Sequence, residues 1–355
     1  MTALPLTPAS AQSARLAPAP MANPDHAQTL WAPYPSAATT SQTIVIDPFD
    51  RADVVYAYIH IYLPQSQVPM GWTGNVANCT PGHTSTAFRQ ATIDRVNFYR
   101  AMAGLPGNIS LSGGAIADNT QAAALMFSAN GVLTHYPPPG WNCYSAAGAA
   151  AAAHSSIAAG YGNNAATGTH AIDLYMDDDG QYNTMAGHRR WILYPPQVSM
   201  DSGSVPFHSP YWAANGLWVS GPFGDRPPST IGVAWPPRGF VPWQLLPSTS
   251  HRWSFSWPGA NFNYASVSMT RDGVPLAAPD IEPIANGYGD NTLVWKPQTG
   301  DVSYAKPTHD TLYQVTIRGI QGGGAPATLS YDVRVIDVYA AAPNDDIIFA
   351  AGFEF

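Results

Sequence analysis

The clearest alternation of residue types along the chain lies at residues 54–63, with the sequence VVYAYIHIYL. Apolar residues occupy every second position from Val55 to Leu63, and Tyr or His occupies the positions between them. A period of two residues predicts a β-strand with two distinct faces. In this interpretation His60 is a residue on one face of that strand rather than a metal ligand.

Helical patterns dominate the rest of the first half. Residues 85–103 carry an apolar stripe that follows a Ser/Thr cap, and Gly104 and Pro106 come directly after it, so the pattern predicts a helix. Three further segments predict helices: 114–129, the alanine-rich 146–159, and 168–177, which ends at the acidic cluster Asp177–Asp179.

Residues 186–196, AGHRRWILYPP, combine a histidine, two arginines and a segment with the composition of a protein core. Trp191–Leu193 is predicted to be buried and to end at Pro195 and Pro196. His188 would then be held in a fixed direction, either as a cleft residue or as a packed histidine with satisfied hydrogen bonds. Of the two arginines, one is expected to pair with Asp178 or Asp179, in preference to binding an anion.

The second half has a different pattern. Short strands are predicted at 216–220, 230–235 and 252–257, and regularly spaced strands over 264–339, with a hairpin turn at Asp272-Gly273. Antiparallel strands at this spacing predict a β-sandwich of immunoglobulin size. The aromatic-rich residues 235–247 are either a binding strip or, as we favour, the packed junction between two domains.

Composition narrows the function classes. The 355-residue chain has 11% charged residues and a net charge of −8, and its lysines are Lys296 and Lys306, which argues against a nucleic-acid surface. Its apolar runs are shorter than the roughly 18 residues that span a bilayer. Cys79 and Cys143 predict one disulfide of an exported protein, the alternative being two free buried thiols.

Four ordered segments give the first half a family resemblance. They are RVNFYRAMAGLP at 95–106, LTH at 133–135, YMDDDGQYN at 175–183 and AGHRRWIL at 186–193. In this order and spacing they resemble the SCP domain of the CAP superfamily (cysteine-rich secretory, antigen 5 and pathogenesis-related proteins) over roughly residues 85–235. The resemblance implies an α-β-α layered domain, and Cys79 and Cys143 fit a bacterial variant in which these two residues are joined.

The resemblance also implies a cleft with two histidines and two acidic residues. His135 and His188 take the histidine positions, and Asp178 takes one acidic position. The second acid should lie in a Gly-Glu-Asn segment, but this chain reads AAHSSIAAGY there, which places Ser155 at the glutamate position. Some relatives bind zinc or a similar divalent ion, so His135, His188 and Asp178 are the candidate ligands. The alternative is that the histidines only shape the cleft.

These inferences predict an α+β protein with four parts. A low-complexity segment, residues 1–43, precedes an SCP-like domain at 44–247, an immunoglobulin-like β-sandwich at 248–340 and a tail at 341–355. Residues 1–40 lack the charge pattern of a signal peptide, so they are either a flexible spacer or follow a start that lies upstream. The tail resembles the FxxGFE ending of some exported gammaproteobacterial proteins.

The predicted function is that of a binding protein, secreted or on the exterior of a bacterial cell envelope. The expected partner is a small apolar, lipid-like or sterol-like ligand, or a component of a cell surface. The alternative is a metal-assisted, peptidase-like hydrolase that uses the two cleft histidines.

Overall fold

The computed structural model describes residues 15–20, 43–228, 232–299 and 304–341. Most of the predicted low-complexity segment and residues 342–355 of the predicted tail lie outside these ranges. The helices are α1 Arg51–Ala57, α2 Leu63–Gln65, α3 Thr86–Met102, α4 Gly114–Asn130, α5 Ala146–Ala153, α6 Gly168–Asp177 and α7 Gly187–Ile192. A π-helical segment, Tyr58–Tyr62, joins α1 to α2, and a 3-10 helix covers Trp243–Leu245.

The strands fall into two groups along the chain. The first group is β1 Arg15–Leu16, β2 Ser110–Leu111, β3 Ser155–Gly160, β4 Ser199–Val205 and β5 Ala213–Trp218. The second is β6 Val233–Trp235, β7 Gly239–Pro242, β8 Trp253–Trp257, β9 Ala260–Asn261, β10 Ser266–Arg271, β11 Val274–Pro275, β12 Ala277–Ile281, β13 Asn291–Gln298, β14 Thr311–Arg318, β15 Gln321–Gly322 and β16 Thr328–Ile336.

The strand predicted at 54–63 is wrong, because this segment is helical. The Asp50 carboxylate accepts the backbone N–H groups of Ala52 and Asp53 and so caps α1. The rings of Tyr58 and Tyr62 stack with their centres 5.0 Å apart, as residues four apart on one helix face do. Every residue but His60 in this segment is apolar or aromatic. The alternation was therefore between aliphatic and aromatic residues, and it did not distinguish a buried face from a solvated one.

The other helical predictions hold better. The side chain of Ser85 caps α3 by accepting the N–H of Phe88 at 3.1 Å, and α4 and α6 match their predicted ranges. The helix predicted over 146–159 is too long, because α5 ends at Ala153 and the remainder forms β3, which is buried on both faces. Within the described ranges, no helix is long and apolar enough to cross a membrane.

Helices cover both faces of the first sheet, whose strand order is β1-β3-β5-β4-β2. Ile157 and Ala159 of β3 pack into one apolar cluster with residues of α4 and α5. Ala158, between them in sequence, packs instead into the cluster that contains residues of α3 and α6. This alternation along a strand gives the first half its α-β-α layers, as predicted.

Two larger sheets, together with the two-stranded pair β15-β9, form the C-terminal part. Their strand orders are β11-β10-β14-β16-β7 and β12-β13-β8-β6, and their apolar side chains, Trp253, Trp295 and Val315 among them, share one core. The turn at Asp272-Gly273 connects β10 to β11 with positive φ angles of 49° and 80°, which confirms the predicted two-residue hairpin. Apart from the parallel pair β16–β7, these strands pair antiparallel, and this all-β arrangement is consistent with the predicted sandwich.

Residues 235–247 pack at the junction between the two halves of the chain. Trp235 contacts Tyr99 of α3 edge to face at 5.2 Å, and the Phe240 N–H donates to the Pro48 carbonyl at 2.7 Å. However, β6 and β7 hydrogen-bond into the C-terminal sheets although both precede residue 248. The first strands that pair within the C-terminal sheets thus lie on the N-terminal side of the predicted boundary at 247/248.

The predicted disulfide between Cys79 and Cys143 is present. It ties the loop before α3 to the loop between α4 and α5, across a sequence separation of 64 residues. We expect the double variant C79S/C143S to lose about 4 kcal/mol of unfolding free energy, because the unfolded chain gains the entropy of an open loop. Urea denaturation measures the loss, and reduced wild type should match the variant; an unchanged midpoint would contradict this expectation.

Candidate binding cleft

A buried histidine–aspartate pair forms the centre of the candidate site. Asp178 follows α6 in the left-handed conformation, with φ 58°, and His188 lies in the first turn of α7. His188 Nδ1–H donates to Asp178 Oδ1 at 2.7 Å, and both side chains are fully buried. The second carboxylate oxygen, Oδ2, accepts the Arg189 N–H at 3.1 Å. Both oxygens of Asp178 are thus committed to protein donors.

The opposite side of the His188 ring, at Nε2, is buried and makes no hydrogen bond to the described residues. The ring stacks on Tyr175, with centres 5.3 Å apart, and the Tyr175 hydroxyl is anchored by the Ser156 carbonyl and the Asn215 side chain. In the tautomer whose single ring hydrogen is on Nδ1, Nε2 presents a lone pair.

His135 is held between two backbone carbonyls. Its Nδ1 lies 2.6 Å from the Ala152 oxygen, and its Nε2 contacts the Pro18 oxygen. Burial lowers the pKa of His135, and nearby His188 lowers it further, although the two carbonyl acceptors act in the other direction. A neutral imidazole has one N–H and can donate to only one of the two oxygens.

Ser155, which the family resemblance aligns with the missing acid, is the first residue of β3. It is fully buried, and its hydroxyl has no hydrogen-bond partner in the part of the chain that the structure describes. It lies three residues after Ala152, whose carbonyl contacts His135. The side chain supplies no second carboxylate to the cleft.

One component of the cleft gave no signal in the sequence. Residues 15–20 lie beside β3 and over His135, and the Trp191 indole N–H donates to the Pro20 carbonyl at 2.6 Å. These residues belong to an Ala/Pro-rich stretch without periodicity, so sequence patterns did not separate them from a spacer.

The two arginines of α7 connect the first domain to the C-terminal sheets. The Arg189 guanidinium donates to the carbonyls of Met176, Asp177 and Arg252, and Arg190 donates to the carbonyls of Ala285 and Asp290. The expected pairing with an Asp178 or Asp179 carboxylate is therefore replaced by contacts with backbone oxygens. The Asp178 carboxylate is already used by His188, and carbonyls of the C-terminal sheets lie within reach of both guanidinium groups.

A zinc ion does not fit this arrangement as it stands. A catalytic zinc site uses three protein ligands, whereas here Asp178 is engaged by two N–H groups and His135 by two carbonyls. A carboxylate bonded to a histidine is the usual outer partner of a metal-bound imidazole rather than a ligand itself. No group of three or more His, Cys, Asp or Glu that could hold a metal occurs within residues 15–20, 43–228, 232–299 and 304–341.

The first half of the chain thus joins α-β-α layers to a buried histidine–aspartate pair. Residues 93–200 match the family model described as CAP, the cysteine-rich secretory protein family. The chain therefore contains a CAP-superfamily SCP domain. Comparison with curated proteins gave no match.

The lowered pKa of His135 predicts a pH effect on stability. In the unfolded chain His135 takes up a proton near its ordinary pKa of about 6.5, whereas the folded protein resists protonation, so acidification below that pH favours unfolding. We expect His135→Asn to reduce the loss of melting temperature between about pH 7.5 and about pH 5.5. His83→Asn, at an exposed histidine, is the control; equal losses in wild type and His135→Asn would contradict the assignment.

Proposed function

We propose that this CAP-superfamily protein is exported and binds a ligand in its cleft without hydrolysing it. The proposal rests on the observation that no carboxylate which the structure describes in the candidate site is free of protein hydrogen bonds. Asp178 has both oxygens engaged by protein N–H groups, and the family resemblance aligns the buried Ser155, which has no carboxylate, with the second acidic position. A cleft with no free carboxylate lacks the group that would activate a water molecule beside a metal ion.

The disulfide supports the export part of the proposal. Cystine bonds persist mainly in oxidising compartments such as the bacterial periplasm or the extracellular medium. Secretion or attachment to the exterior of a bacterial envelope is the compartment we propose. A lipid-like or sterol-like ligand and a cell-surface component remain the two predicted partner classes.

A histidine-dependent hydrolase is the second candidate, and one observation favours it. The Asp178–His188 pair has the geometry of a general base, since the carboxylate orients the ring and Nε2 keeps its lone pair. Metal assistance would require His135 to exchange its carbonyl contacts for a metal ion.

Hydrolysis assays with a His188 variant separate the two candidates. His188→Asn keeps an N–H donor for Asp178 but removes Nε2, so the buried carboxylate is not left without a partner. We expect wild type and His188→Asn to give the same background rate on a broad set of peptide and ester substrates, with and without zinc. Hydrolysis that His188→Asn abolishes and the exposed-site control His60→Asn retains would overturn the proposal. Retention of a sterol or fatty acid from a lipid mixture would assign the ligand to the lipid class.

A further inference from the structure

Residues 15–20 occupy the cleft as an added strand. Arg15 pairs with Ala159 and Leu16 with Ala158 in antiparallel register, and the Ala17 N–H lies 3.5 Å from the Ile157 carbonyl. Without this segment β3 would be the edge of its sheet, because the strand order is β1-β3-β5-β4-β2. An exposed strand edge is a template for an extended peptide.

The side chains of Ala17, Ala19 and Pro20 are buried, Leu16 is half-buried, and Arg15 and Pro18 are exposed. Ala17 and Ala19 are 6% and 5% exposed, whereas Pro18 between them is exposed. A Cβ atom at Gly187 would lie 2.6 Å from the Ala19 Cβ, so the segment approaches the start of α7 as closely as a glycine allows. The cleft thus accepts only small side chains at the positions of Ala17 and Ala19.

The carbonyl groups of the two prolines contact polar side chains of the cleft. His135 Nε2 lies against the Pro18 oxygen, and the Trp191 indole donates to the Pro20 oxygen. Proline carries no N–H, so a segment with prolines at these positions offers acceptors without burying unpaired donors. The Arg15 guanidinium also lies over the Trp212 ring, 5.6 Å from its centre.

From this geometry we propose that the cleft is a binding site for extended polypeptides of small residues and proline, which residues 15–20 occupy within the same chain. The ligand class is an unfolded segment with the pattern small-Pro-small-Pro, paired along β3. This inference rests on the proposed function, because it concerns the same cleft, and it names a polypeptide as the ligand in place of a lipid-like molecule. Residues 21–42 join the occupant to the domain, so an external peptide competes with a tethered one.

The chain itself supplies a matched pair of probe peptides. Residues 16–20 read LAPAP and residues 31–35 read WAPYP, so both have alanine then proline at the second and third positions and proline at the fifth. The first and fourth positions differ, with Leu16 and Ala19 in the first peptide and Trp31 and Tyr34 in the second. A tyrosine at the Ala19 position would collide with Gly187, so the second peptide should not bind.

Fluorescence anisotropy with a labelled peptide of residues 13–22 tests the proposal. In the full-length variant Ala19→Arg the internal segment no longer fits, and we expect this variant to bind the peptide at least about tenfold more tightly than wild type does. A labelled peptide of residues 28–37 should not bind either protein. In the Ala19→Arg background, Trp191→Phe should weaken binding because the donor to the Pro20 carbonyl is lost, whereas Trp257→Phe should not.

The outcomes separate this inference from the proposed function. Near-UV circular dichroism reports whether Ala19→Arg is folded, and Ala17→Arg replaces it if it is not. Absence of binding to a folded variant, or equal affinity for wild type and variant, overturns the peptide site and leaves the binding-only function standing. Binding followed by His188-dependent cleavage of the peptide, detected by mass spectrometry, supports the peptide site and overturns the binding-only function.

Discussion

Replacing Arg189 with alanine is expected to cost about 3–5 kcal/mol of unfolding free energy, the largest effect that we predict for a single substitution. Arg189 is 1% exposed, and desolvation lowers its pKa to about 10, so the group still carries its charge at neutral pH. Its guanidinium donates to the carbonyls of Met176 and Asp177 in the first domain. It also donates to the carbonyl of Arg252, directly before β8, and to the hydroxyl of Ser254 in β8. Truncation removes this donor from the Met176 and Arg252 carbonyls, whereas the Asp177 carbonyl still accepts from the Ser250 hydroxyl.

Two further variants make the measurement specific. Arg189→Lys keeps a positive charge but cannot reproduce a planar group with five donors, so most of the loss should remain. Arg318→Ala removes an exposed arginine whose hydrogen bond goes to Ser268 on the surface, and it should change stability by less than about 0.5 kcal/mol. Urea denaturation compares all three. A loss for Arg189→Ala no larger than that for Arg318→Ala would show that this contact does not hold the domains together.

Replacing Asp178 with alanine is expected to have the second largest effect, again about 3–5 kcal/mol. The fully buried carboxylate accepts from His188 Nδ1 and from the Arg189 backbone N–H, and both donors lose their partner in the variant. Alanine also tolerates the left-handed backbone at this position poorly.

Asp178→Asn shows how much of this loss comes from the carboxylate itself rather than from the backbone conformation and the hydrogen bond to His188. Asparagine tolerates the left-handed conformation, and its carbonyl oxygen can accept the His188 hydrogen, but its amide nitrogen would face another donor. We expect a smaller loss of about 1–3 kcal/mol. Asp179→Ala, at the exposed neighbouring aspartate, should stay within about 0.5 kcal/mol. Thermal and urea unfolding measure these differences, and equal losses at the two aspartates would contradict the buried pair.

Local sequence signals predicted those elements whose burial is one-sided or whose ends are marked. Ser85 before α3 and the Asp272-Gly273 turn are examples, because cap and turn chemistry act within a few residues. The prediction for residues 54–63 was wrong, because a segment that is apolar or aromatic at nearly every position fits both the two-residue period of a strand and the 3.6-residue period of a helix. The end of α5 failed for a related reason: alanine favours a helix, but β3 is held by its neighbours in the sheet.

The cleft was predictable only in part. Its histidines and Asp178 lie in segments with family resemblance, and the pairing of Asp178 with His188 follows from the fold that places α6 beside α7. Residues 15–20 carried no such signal, because their contacts with β3, His135 and Trp191 are all distant in sequence. Their role depends on tertiary structure alone.

The proposed function requires a cleft that binds its ligand without a metal-dependent reaction, and the zinc content of the purified full-length protein tests this most directly. After exposure to zinc and removal of the excess, elemental analysis should find far less than one equivalent per chain, unchanged by His188→Asn. One equivalent of zinc that is retained by wild type and by His60→Asn, but lost from His188→Asn, would contradict the proposed function.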